Sequence, residues 1–294
     1  MISASEIAFL SDGIQQGIRA DGRSCDGLRP LEINLGWLPS ANGSCHVKSL
    51  SCDIYVAIKC ELGRPTAEHP SDGIVKVDVE FGGSVLPRFQ DFTGRQAMIE
   101  ADTLADLTAS QITNMCLSSL DKKQLCIESG RICWIASVDV LVERIDGPML
   151  DPISVGLRGA LMDLKLPGVV PVADEEAAHS TKSIESTIPM VQLTTDLHRM
   201  ILKESSALCI TLGIFAGNSV IMADLDRSEE NIARLKENCL LTVAISGSKE
   251  CCGLHKFGLG SLDPSITHHV IQAGIQLGAQ VSAVLDKLSA NIEN

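Results

Sequence analysis

The sequence predicts an α+β fold of two similar units, each with helices packed on one face of a largely antiparallel sheet. Three observations lead there. Short runs alternate apolar with polar residues, as at Val75, Val77, Val79 and Phe81, which is the two-residue period of a half-buried strand. Elsewhere the period becomes helical, with Ile7, Leu10, Ile14 and Ile18 spaced along one face. The order strands, helix, strand, helix then occurs twice, a repeat of topology and not of letters.

The first element is an amphipathic helix over Ser5–Arg19, ended by a turn at Asp21-Gly22. Strand-like runs follow at His46–Ser51, Asp53–Leu62 and Ile74–Gly82, and the turn residues between Gly63 and Gly73 mark a loop. Helical spacing returns from Arg95 to Met115, a β-rich run covers Arg131–Ile145, and a helix extends from about Ile153 to Leu164. Lys165–Pro189, rich in Pro, Ser and Glu, reads as a connector. Beyond it, strands at Met190–Leu193, Leu208–Phe215 and Ser219–Asp224 precede a helix opened by an Asp226…Glu229 capping box. That helix is expected to turn Ile232, Leu235, Cys239 and Val243 inward. A β run at Lys249–Phe257 leads to a last helix, capped by Asp263 with Pro264 in the first turn, where a missing N–H costs nothing. Its buried side carries Val270, Ile271, Leu277, Val281, Val284 and Leu285 to about Leu288, while Gly274 and Gly278 let it approach a sheet closely. The expected domains are 1–165 and 190–294, with 166–189 as the connector.

Composition narrows the function. With 294 residues, 45% hydrophobic and 21% charged, the chain is neither a mini-scaffold nor disordered. Acidic residues outnumber basic ones 37 to 24, a net charge of −13, which argues against an autonomous nucleic-acid binder. Aromatic residues at 3% leave little for a base-stacking platform. A mean hydropathy of +0.19 hints at apolar surface covered by partner subunits. The eleven cysteines form no CxxC pair, and with no secretory leader or spanning segment in view they read as reduced, mostly buried thiols of an intracellular protein.

Chemical motifs are sparse. There is no phosphate-binding P-loop and no GxSxG elbow, and Gly258-Leu259-Gly260 stops short of a dinucleotide fingerprint. Cys251, Cys252 and His255 lack a second ligand pair for zinc, and His268 and His269 point apart on a helix. Asp224, Asp226, Glu229 and Glu230 are the one acidic cluster that could share a site for acid–base or magnesium chemistry. A structural role explains them better: Asp226 caps a helix, and Glu229 and Glu230 favour its positive end.

Gly17-Ile18-Arg19-Ala20-Asp21-Gly22-Arg23 with Arg29-Pro30, then Gly43-Ser44-Cys45, Pro65…Asp72-Gly73, Val138–Leu141 and Asp224-Leu225-Asp226 with Glu229-Glu230, resemble the RNase PH-like family in residues and order. Asp146-Gly147…Asp151 and Gly258 through Pro264 are similar to its non-catalytic exosome ring subunits. The resemblance implies an RNase PH-like fold. Active relatives degrade RNA from its 3′ end with inorganic phosphate as nucleophile, and their site needs concentrated positive charge. Where they carry a Gly-Gly-Thr-Arg or Gly-Ser-Arg loop, this chain has Gly147-Pro148-Met149-Leu150; Ala101, Ala105 and Thr108 take the arginine positions of their substrate-gripping helix.

The expectation is therefore a chain without the phosphate-binding residues, in which Asp224 and Asp226 persist as vestigial carboxylates with no cation clamp, and with no cofactor or metal. By resemblance it is a non-catalytic subunit of the RNA exosome, in a six-membered ring with other RNase PH-like subunits. RNA-binding cap proteins and a hydrolytic nuclease subunit are the further partners, and RNA passes through the ring past Arg64, Arg88 and Arg95. Nucleus, nucleolus and cytoplasm are the expected locations, and no membrane is involved. The competing reading is an active phosphate-dependent 3′–5′ exoribonuclease that uses Asp224 and Asp226 with cations borrowed across an interface.

Overall fold

A computed structural model describes residues 3–85, 95–171, 191–199, 206–215, 217, 219–235 and 237–292. Helix α1 (Ala4–Gln15) is capped by Ser3, whose Oγ accepts the Glu6 N–H. It ends at Gln15 and not at Arg19, because Gly17 adopts a φ of +69°, with the Ile18 N–H on the Gly13 carbonyl and the Gly17 N–H on Ile14. That is a Schellman cap, a conformation glycine adopts without steric cost.

Strands β1 (Glu32–Leu35), β2 (Gly43–Lys48), β3 (Cys52–Gly63) and β4 (Ile74–Phe81) follow, then α2 (Arg95–Gln111), which passes into a π turn at Ile112–Cys116. After β5 (Cys126–Glu128) and β6 (Ile132–Ile145) comes α3 (Leu150–Asp163). These strands form one six-stranded sheet in the order β1-β2-β3-β6-β4, with β5 on β6. Every pairing is antiparallel except β4 with β6, whose parallel register needs the crossover that α2 provides.

Lys165–Pro171, expected to begin the connector, forms strand β7, paired with β8 (Val191–Arg199). Residues 172–189 of the expected connector lie outside the described residues, as does Met190, expected to open the next strand. A second sheet has the order β10-β9-β11-β12, from β9 (Leu208–Phe215), β10 (Val220–Ala223), β11 (Cys239–Ile245) and β12 (Cys251–Phe257). Helices α4 (Arg227–Ala233) and α5 (Pro264–Ile292) complete the chain.

The core explains the layers. On β3, Cys52, Ile54, Val56 and Ile58 alternate inward, and β6 sets Val138, Val140 and Val142 beside them. Helix α3 packs on this face and is buried almost all round, as a helix in the middle of a molecule must be, since its opposite side meets β9. Gly156 and Gly159 bring it close: a Cβ on Gly156 would lie 2.9 Å from Val56 Cγ2. One continuous core joins Val56, Val140 and Ile153 to Cys209, Ala244 and Leu285, so the two halves share their interior.

The second sheet is covered on both faces. Ile210, Leu212, Leu241 and Val243 pack with Val270 and Leu277 of α5, while Phe215, Met222 and Leu240 pack with Ile14 of α1 and Ile232 of α4. Gly274 of α5 does press against Val243, with a Cβ there only 3.0 Å from the valine's. The helix expected after Asp226 is shorter than its periodicity suggested. It stops at Ala233, Leu235 is 43% exposed, and Cys239 and Val243 belong to β11. A strand buried at every position, as β11 is, is apolar throughout, so a helical period fits it as well as any other.

Candidate functional site

The Schellman cap on α1 turns the chain so that Arg19 and Arg23 reach the end of β10. There Asp224 takes a φ of +47°, a left-handed conformation that aspartate tolerates better than most residues. Its carboxylate is fully engaged. Oδ1 accepts Arg29 Nε at 2.9 Å and Nη2 at 2.5 Å; Oδ2 accepts the Arg29 backbone N–H at 2.5 Å and Arg23 Nη1 at 3.1 Å. Arg29 also donates to the carbonyls of Asp146 and Leu225. Burial alone would lower the pKa of this guanidinium, but Asp224, Asp146 and Asp226 outweigh it and the net shift is upward.

Beside this pair lies a second one, wholly inside. Arg19 holds Glu229 with two bonds, Nε to Oε1 at 2.9 Å and Nη2 to Oε2 at 2.6 Å, and donates to the carbonyls of Ala223 and Asp224 at 2.9 Å each. The side chains are 0% and 4% exposed. Asp226 does not join Asp224: its Oδ1 accepts the Glu229 N–H at 2.8 Å, and Glu229 returns the bond to the Asp226 N–H, the reciprocal capping box that the spacing suggested.

Asp224 and Arg29 border a cavity of about 380 Å³ between the two halves, lined otherwise mainly by apolar groups such as Cys52, Pro148, Val155 and Cys209. Gly147, with φ +103°, lies so close to the Leu225 carbonyl that a Cβ would collide with it. Pro148 has no N–H to offer, and Met149, at the entrance to α3, makes no capping bond. The first turn of α3 instead carries its own carboxylate. Asp151 accepts the Thr211 N–H at 2.8 Å and the Thr211 hydroxyl at 2.6 Å. Burial pushes its pKa up to about 7; the Thr211 bonds oppose this shift, and Asp224 and Glu230 add to it.

The expectation of acidic residues without a cation clamp is thus corrected. Three arginines surround Asp224 and Glu229, and they belong to the N-terminal motif and its Arg29 extension. Their pairing crosses about two hundred positions of sequence, and no local pattern signals it. Among the residues expected on an RNA path, Arg64 is exposed just after β3, Arg88 lies outside the described residues, and Arg95 opens α2 with a side chain outside them. Ala101 and Thr108 of α2 are buried, and Ala105 packs against the core, so those positions face inward here.

Residues 27–167 match the model of domain 1 of the 3′ exoribonuclease family, RNase_PH, and residues 206–281 match that of its domain 2. The chain belongs to the 3′ exoribonuclease family. Similar family members include an exosome complex component Rrp42 of Methanocella arvoryzae, 27% identical over 259 residues that cover 87% of this chain and 86% of the relative. The exosome complex component rrp45 of Schizosaccharomyces pombe is 25% identical over 279 residues, 95% of this chain and 88% of the relative. Among solved structures, the Archaeoglobus fulgidus exosome with RNA bound to the active site superposes with a TM-score of 0.68 at 20% identity, covering 94% of this chain and 95% of that one. The two-sheet fold is that of the family.

Proposed function

We propose that this family member is a non-catalytic subunit of an exosome ring, supporting 3′–5′ RNA processing without cleaving RNA itself. The observation that carries the reading is the commitment of all three guanidinium groups at the Asp224 site to the chain's own carboxylates and carbonyls. Phosphorolysis brings two anions together, and stabilising them requires donors aimed at where the charge develops. Here the donors are occupied. The α3 entrance adds a proline and a carboxylate-bearing first turn in place of free N–H groups. Likeness to archaeal Rrp42 and fungal rrp45 over most of both chains supports the ring assignment.

On this reading the neighbours are other RNase PH-like subunits, RNA-binding cap proteins and a hydrolytic nuclease subunit. The RNA path would take in Arg64, Arg88 and Arg95, and the complex would work in nucleus, nucleolus and cytoplasm. The test is direct. Purified chain incubated with labelled RNA and inorganic phosphate is expected to release no nucleoside diphosphate. Phosphate-dependent release that disappears in Asp224→Asn would replace this reading with that of an active phosphorolytic enzyme.

A further inference from the structure

The six-stranded sheet has a second face, opposite α3, and its chemistry is unlike the rest of the molecule. Strand register places His46, Tyr55, Leu141 and Glu80 in one row across β2, β3, β6 and β4, and Ser44, Ala57, Asp139 and Asp78 in the next. Trp37, in the β1–β2 connection, stands 4.9 Å from Tyr55 between ring centroids, tilted by 60°. His46 stacks flat on Tyr55 at 4.2 Å, and its Nε2 lies 2.7 Å from Asp53 Oδ1. The only tyrosine and one of the two tryptophans of an aromatic-poor chain therefore meet on this face.

They border a concavity of about 320 Å³ whose lining includes Trp37, Tyr55, Asp78, Glu80, Asp139 and Leu141. Trp37 and the three carboxylate residues are exposed. Asp78 and Asp139 are direct register partners on adjacent strands, and like charges facing each other destabilise a sheet. Neither they nor Glu80 has an ion-pair or hydrogen-bond partner among the described residues. Lys59 and Lys76 stand one row further along, opposite Ser137, and neither pairs with these carboxylates. The face keeps mutual repulsion beside two aromatic rings, and a cation would relieve it.

We propose that this concavity is a docking site for an arginine side chain presented by a segment of a partner protein. A guanidinium fits both halves of the surface: its plane lies over an indole or phenol ring, and its fork of donors reaches paired carboxylates. A lysine ammonium supplies charge without the plane. A second copy of this chain is a poor occupant, because at a net charge of −13 it would bring further negative charge to an acidic face.

The experiment titrates the full chain with acetyl-Gly-Arg-Gly-amide and, separately, with the lysine and the neutral citrulline counterparts, following tryptophan fluorescence. Trp134 is buried, so the signal reports Trp37. The arginine peptide should quench saturably, and roughly ten-fold or more weakly in Asp78→Asn/Asp139→Asn. That variant removes repulsion, so its melting temperature should equal or exceed that of the unaltered chain, which separates lost binding from lost fold. The citrulline peptide should bind weaker still than the lysine one. No saturable response up to about 10 mM, equal response to citrulline, or unchanged binding in the double variant would overturn the proposal. Self-association of the chain that Asp139→Asn abolishes would assign the face to a second copy instead.

Discussion

Arg19 and Glu229 form the most enclosed charged pair of the site, and the energetics of such pairs are asymmetric. Two desolvated charges gain little net stability together, but removing one leaves the other buried and unpaired. Glu229→Gln is therefore expected to lower unfolding free energy by about 3–5 kcal/mol in urea titrations. A loss under 1 kcal/mol would mean that water reaches Arg19. Asp151 makes the opposite kind of statement. Its pKa rises from 3.8 to about 7, so between those values the folded chain retains a proton that the unfolded chain has released. Stability contributed at low pH should consequently fall as pH rises, by at most about 1.4 kcal/mol per unit, and level off above 7. Asp151→Asn should flatten that slope, since an amide can accept the Thr211 N–H and donate to the Thr211 hydroxyl, which itself lies 2.9 Å from Thr242 Oγ1. Denaturant titrations across pH 4.5–7 check it. The carboxylates of this site were legible as a cluster because they are neighbours in the chain. Their arginine partners were not, because only the fold brings residues 19–29 to residues 224–229.

At the scale of elements, close approach governs. Helix α3 touches β2 through Gly43, where an added Cβ would collide with the Ala160 carbonyl and lie 2.9 Å from Leu164 Cα. Both are backbone atoms that cannot rotate aside. Gly43→Ala should cost about 1–3 kcal/mol, read as a lower melting temperature, whereas Gly83→Ala, with nothing within 4 Å, should be near neutral. Most strands and the course of α5 could be read from periodicity, since a half-buried strand and an amphipathic helix each leave a repeating signature, although Val284, expected on the buried side of α5, is 50% exposed. Fully buried β11 left none. β1, β5 and β7 were missed for another reason: each is short or proline-bearing, and its place comes from pairing with a neighbour rather than from its own residues.

The whole molecule carries apolar surface that its own core does not use. Phe9 is 75% exposed, Leu50 98% and Leu259 78%. These residues come from separate parts of the chain, in keeping with the expectation from hydropathy that partners cover it. Light scattering of the isolated chain should show association that grows with concentration, and co-expression with RNase PH-like partners should replace it with one defined species. A stable monomer over a wide concentration range would count against a ring role.

Alternation and helical spacing along the chain were enough to settle that this is a two-unit α+β protein with an acidic cluster at one strand end, because those properties depend on neighbours in sequence. Which cations meet that cluster, how the two sheets share a core through α3, and that aromatic rings and unpaired carboxylates gather on one open face were decided by tertiary structure, because each joins residues whose proximity exists only after the chain has folded.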